Sequence, residues 1–144
     1  MMNVTGNLTK NFGLREMACN DPGNTLAITP ALVDHAQRLQ RFRDWYGKPM
    51  QVNSWYRTPE WNAKQAGSTK DSQHILGVAT DVALPDEFFK MDPKRKEEFL
   101  QNIKAKWQLL CQTDGKRGGM GWYNSFIHFD SREGTGMMAF WDER

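Results

Sequence analysis

The stretch SQHILGVATDVAL, Ser72 to Leu84, alternates in its second half and not in its first. Val78, Thr80, Val82 and Leu84 fall on one face of a strand, and Asp81 falls on the other. The residues up to Gly77 read as a loop entering that strand, with His74 on the loop. A loop-then-strand path can fold back so that His74 and Asp81 reach one point. The only histidine downstream, His128, lies in a second run, SFIHFD (125–130). As a strand, that run puts Phe126, His128 and Asp130 on one face and Ile127 and Phe129 on the opposite one.

Helices are expected on either side. Residues 29–46 carry Thr29 as a cap, Pro30 at the first helical position and Gly47 past the end. Leu32, Ala36, Leu39 and Tyr46 make the stripe to be buried, and His35 beside it reads as a partly exposed or hydrogen-bonded helix histidine. Residues 93–110 follow Asp92-Pro93 and show an apolar face of Phe99, Ile103, Trp107 and Leu110. A short helix is expected after Thr58-Pro59, ending at Gly67. Further strands are expected at 49–54, PMQVNS, and 137–141, MMAFW. Helices mostly precede the last strands, which predicts an α+β fold with an antiparallel sheet flanked by helices.

A chain of 144 residues is expected to form one domain, 1–144, with a core that needs no staple. Its six tryptophans and eight phenylalanines imply a strongly aromatic core or a lined cleft. A net charge of +2, scattered rather than clustered, argues against nucleic acid as a partner. No run is long and apolar enough for a membrane span, and the first residues lack the pattern of a secretory signal, so a cytoplasmic monomer is expected. Cys19 and Cys111 match no metal or redox spacing and read as reduced, structural thiols.

Two neutral imidazoles and a carboxylate are a ligand set that Zn²⁺ accepts with a fourth position open, the arrangement of catalytic sites. His74, Asp81 and His128 are therefore the candidate ligands. Asp130, two residues beyond His128 on the same face, reads either as a base or as a partner that orients a histidine.

Three runs, SWYRTPEWN (54–62), SQHILGVATD (72–81) and GGMGWYNSFIHFDSR (118–132), together resemble the M15 peptidases, the zinc D-Ala-D-Ala peptidases. The likeness is greatest to small single-domain members common in phage and prophage, and LTKNFGLREM (8–17) extends it over almost the whole chain. The resemblance implies a Hedgehog/D-Ala-D-Ala-peptidase-like fold and a zinc peptidase that cleaves peptidoglycan stem peptides or their cross-links, in the manner of an endolysin released to the cell wall. It implies His74, Asp81 and His128 as zinc ligands, and Arg57 beside the metal, holding a substrate carboxylate or the oxyanion. Ser72 and its aromatic counterpart Tyr56 are implied to bind substrate. A non-catalytic zinc domain, or a virion component that kept the fold, is the alternative.

The chain departs from the family pattern at Trp55, where glycine is usual, and at Trp122; both are expected to narrow the site. Thr80 in place of a common alanine should be tolerated. Ser125 stands where some branches carry an acid, which shifts the expectation of a base to Asp130.

Overall fold

The computed structural model describes residues 6–144. Two long helices carry the layer behind the sheet. The first, α2 (Pro30–Tyr46), follows the short α1 (Leu14–Met17). The Thr29 hydroxyl accepts the Leu32 N–H, Pro30 takes the first turn, and Gly47 leaves the helix at φ +76°. The other long helix, α5 (Pro93–Thr113), starts the same way, with the Asp92 carboxylate accepting from the Arg95 N–H. It runs three residues past the expected end at Leu110, because no breaker appears before Gly115. Between them lie α3 (Pro59–Ala63) and α4 (Asp86–Phe89). The expected third helix thus stops at Ala63, well before Gly67, and α4 was not foreseen.

Five strands, β1 (Val52–Ser54), β2 (Ala79–Ala83), β3 (Gly119–Trp122), β4 (Phe126–Asp130) and β5 (Ala139–Asp142), form one sheet in the order β1-β2-β4-β3-β5. Three of the pairings are antiparallel, as expected; β3 and β5 pair in parallel. The reason is geometric. Strand β4 ends at Asp130 opposite Gly119, the start of β3, and the chain then crosses to the far side of β3 and resumes its direction. Because β4 and β5 are themselves antiparallel, a loop suffices where neighbouring parallel strands need a long crossover.

The face of the sheet carrying Val82, Ile127, Phe129 and Met120 packs against α2 and α5. Phe42 of α2 and Trp107 of α5 both meet Phe129 edge-on, with centroids 5.0 and 5.3 Å apart. The buried stripe of α2 is Leu32, His35, Ala36, Arg38, Leu39 and Phe42, with Tyr46 only partly covered. On α5, Leu100 rather than Phe99 is fully buried, and Phe99 packs at the rim.

His35 is buried completely, and of the two expectations for it the hydrogen-bonded one holds. Arg38, also fully buried, donates to the Ser131 hydroxyl at 2.8 Å, so that hydroxyl has its proton free for His35 Nδ1 at 2.6 Å. The remaining ring nitrogen, Nε2–H, then donates to Thr80 Oγ1 at 3.0 Å. The chain of donors closes only with a neutral imidazole. Burial is the main reason that the imidazolium is pushed down to about 3. Arg38 in turn is held by Asp114 at 2.9 Å and lies 2.9 Å from Asp34. Cys19 and Cys111 are both free and buried.

Candidate metal centre

One row of residues crosses the sheet at right angles to its strands. Ser54, Asp81, His128, Gly121 and Trp141 are successive register partners from β1 to β5. Directly opposed residues point to the same face. The row therefore sets Asp81 and His128 side by side on the face away from α2 and α5. His74 comes from the loop before β2, a succession of tight turns that ends at Gly77. That glycine has φ +74°, and a side chain there would press on Leu32 at 3.0 Å.

Trp55 holds this loop from behind. Its backbone carbonyl accepts from His74 Nδ1 at 2.6 Å, and its indole Nε1–H donates to the Gly77 carbonyl at 2.9 Å. The side chain is fully buried. Trp55 thus occupies core behind the site and does not narrow it, contrary to expectation. Trp122 is likewise in the core, on the face of the sheet away from the site, where its ring packs on Phe140.

A carbonyl is only an acceptor, so His74 Nδ1 carries the proton and Nε2 presents a lone pair, 3.2 Å from Asp81 Oδ2. His128 repeats the logic with its nitrogens exchanged. Nε2–H donates to Asp130 Oδ2 at 2.8 Å, which leaves the Nδ1 lone pair 2.9 Å from Asp81 Oδ1. Two imidazole lone pairs and one carboxylate thus converge, all within 4.8 Å of one another and all buried. Each imidazole is fixed by a second acceptor, the arrangement that metal-holding histidines require. The donor set fits a divalent transition metal with nitrogen preference.

With a proton on the nitrogens that face Asp81, the same contacts are hydrogen bonds to its carboxylate, and a bound cation would take the place of those protons. Burial opposes the charge on Asp81, but hydrogen bonds from His128 and His74 hold it well below the usual carboxylate range. Asp130 is also held low, against its burial, by His128 and Arg132. Burial disfavours the His128 imidazolium too, yet bonding to Asp130 and Asp81 pushes it up to about 9.

Asp130 is fully buried, and four donors converge on its two oxygens. These are His128 Nε2 and the backbone N–H, Nε and Nη2 of Arg132, at 2.7 to 3.0 Å. The carboxylate fits there because position 119 has no Cβ; one built on Gly119 would lie 2.4 Å from Asp130 Oδ2. The glycines of GGMGW thus do separate things. Gly118 turns the chain at φ +71°, Gly119 admits Asp130, and Gly121 admits the Trp141 indole.

Arg57 stands on the Asp81 side. Its Nη2 donates to Asp81 Oδ2 at 3.3 Å, Nε to Ser54 Oγ at 3.1 Å and Nη1 to Asn62 Oδ1 at 3.3 Å. The buried Asn62 is itself anchored, donating to the Thr69 carbonyl at 2.8 Å. These residues open on a cleft of about 740 Å³ lined by Arg57, Ser72, His74, Asp81, His128 and Trp141, among others. Ser72 lies in this cleft and accepts the His74 backbone N–H at 3.2 Å. Tyr56 does not; it lines an adjoining depression of about 620 Å³ that shares Gln73 and Arg132 with the cleft. Ser125 is exposed in the β3–β4 turn. A further cavity, about 280 Å³ between Phe42, Phe99 and Leu84, lies on the helix side of the sheet.

The sequence reading did not single out Arg132, Asn62 or Trp141. Arg132 was visible two residues after Asp130, where an extended chain returns a side chain to the same side. Nothing local marked Trp141, whose place depends on the parallel pairing of β5.

A buried histidine–aspartate–histidine group on an open cleft is a donor set that could hold a metal ion. The family described as Peptidase M15 matches residues 10–130, and the chain belongs to it. No curated protein and no solved structure matches the chain. No helix among the described residues is long and apolar enough to cross a membrane.

Proposed function

We infer that the chain is a zinc metallopeptidase of one unit, 1–144, with a Hedgehog/D-Ala-D-Ala-peptidase-like fold, acting on peptidoglycan stem peptides or their cross-links. The observation that carries the reading is the pair of imidazoles whose outer nitrogens are each tied to an acceptor, leaving two lone pairs aimed at Asp81. His74, Asp81 and His128 would hold the zinc, which would supply Lewis-acid polarisation of a carbonyl and acidify a water. The chain's own residues do the rest. Arg57, fixed by Ser54 and Asn62, offers a guanidinium edge to the oxyanion or to a substrate carboxylate. Asp130 keeps the His128 ring turned and its Nε2 protonated. Between the two roles that the sequence left open for Asp130, its four engaged donors favour the orienting one. Ser72 lines the cleft and Tyr56 the depression beside it, where substrate on either side of the metal would pass.

The deciding experiment is digestion of purified peptidoglycan with and without a chelator, followed by mass analysis of the fragments. Chelator-sensitive release of peptide fragments supports the reading. An intact sacculus in the presence of fully zinc-loaded protein refutes the substrate, and zinc at well below one per chain refutes the metal.

A further inference from the structure

Trp141 lies beyond the stretch matched by the family, yet it reaches the centre of the site. Its ring is 5.2 Å from that of His128, centroid to centroid, and tilted by 47°. The indole Nε1–H donates to the Tyr123 hydroxyl at 2.8 Å, and the Arg132 guanidinium stands 5.3 Å from the ring. Tyr123 is stacked on Phe126 at 4.3 Å with planes 7° apart. Trp141, Tyr123 and Phe126 all line the cleft.

The indole can lie there for one reason. Trp141 and Gly121 are register partners, and a Cβ at position 121 would fall 2.3 Å from Trp141 Nε1. The missing side chain on β3 lets the tryptophan of β5 lean across that strand toward His128 on β4. Three of its constraints are thus independent: a hydrogen bond, a cation over the ring and a backbone gap.

We propose that Trp141, braced by Tyr123, is a specificity-determining residue: the aromatic wall of a subsite that takes an uncharged, methyl-bearing part of a peptide beside the metal ligands. The indole presents apolar area with its one polar atom already satisfied, so it binds through contact rather than through charge. This rests on the peptidase reading above.

The test uses Trp141→Leu, Trp141→Phe and Gly121→Ala in the zinc-loaded protein. Two probes are used, the stem pentapeptide L-Ala-γ-D-Glu-L-Lys-D-Ala-D-Ala and tetra-L-alanine. Calorimetry gives peptide Kd, hydrolysis gives KM and kcat, and metal analysis gives zinc content. For the probe that wild type binds, Trp141→Leu should raise Kd and KM about tenfold, the scale of one aromatic contact. Its kcat should stay within about threefold and its zinc content should not change. Gly121→Ala should match it, because the added methyl drives the indole off, whereas Trp141→Phe should keep most of the affinity. An unchanged Kd in well-folded Trp141→Leu overturns the wall alone, as does zinc loss with peptide affinity intact. A wild type that binds neither peptide overturns the substrate reading and the wall with it.

Discussion

Replacing Asp130 by asparagine removes a charge at nearly constant shape, and the consequences can be worked from its contacts. The carboxylate accepts from His128 Nε2 and from three groups of Arg132. An amide has one acceptor oxygen and brings two N–H donors. If the oxygen faces His128, the NH₂ confronts the Arg132 guanidinium; if it faces Arg132, the NH₂ confronts His128 Nε2–H. In the second case the imidazole keeps its ring position only by moving its proton to Nδ1, the nitrogen aimed at Asp81. Either arrangement weakens the hold on His128. Loss of such an orienting partner costs about ten- to a hundredfold in metal affinity, or about 1.4–2.7 kcal/mol. Zinc competition against a chromophoric chelator should therefore show Kd rising by that factor in Asp130→Asn. Turnover should recover largely when zinc is added to saturation. Unchanged zinc affinity with turnover down about a hundred- to ten-thousandfold would refute the orienting role and make Asp130 the base.

Arg57→Lys keeps the charge but cannot serve Ser54, Asn62 and Asp81 at once; turnover at saturating zinc should fall about a hundredfold with zinc content intact. Wild-type rates would remove Arg57 from the chemistry. Gly119→Ala places a methyl against the Asp130 carboxylate, and urea denaturation should register a loss of about 1–3 kcal/mol, the usual cost of overpacking. His35 gives a pH signature. Its folded pKa of about 3 lies below the unfolded value of 6.5, so the neutral form's advantage is complete above pH 6.5 and is lost as pH falls toward 3. The stake is about 5 kcal/mol, and urea midpoints between pH 7 and 4 should drop with a slope of about one proton. His35→Gln should flatten that slope; an equally steep profile in the variant would assign it to other groups.

The parts of the site that follow a period of two were readable from the chain. Asp81 and His128 sit on the expected faces of β2 and β4, and Phe129 and Ile127 turn the other way into the helices. What depends on strand partners was not readable. The expected closing strand exists at Ala139–Asp142, but its parallel place beside β3 is fixed by the crossing of the chain, which no local pattern encodes. Trp55 was misplaced for a related reason. Its two bonds join residues 19 and 22 positions away, and an aromatic at a position usually held by glycine looks like an obstruction until its pocket is known. The burial of Arg38 makes sense only once Asp114, at the end of α5, is folded against it. The short α4 and the early stop of α3 rest on single turns, too brief for a periodic signal.

The two histidines are held by unlike chemistry: His128 by a side chain, His74 by a peptide carbonyl. A substitution scan can therefore find the support of one and is blind to that of the other. No amino-acid change deletes the Trp55 carbonyl, and replacing the Trp55 side chain would disturb it only indirectly, through the loop it anchors at Gly77. Variation at this site, natural or engineered, has a graded handle on the His128 ring, through position 130. The His74 ring has none. It is carried by the path of the backbone, and a change there shifts the whole turn or leaves it alone.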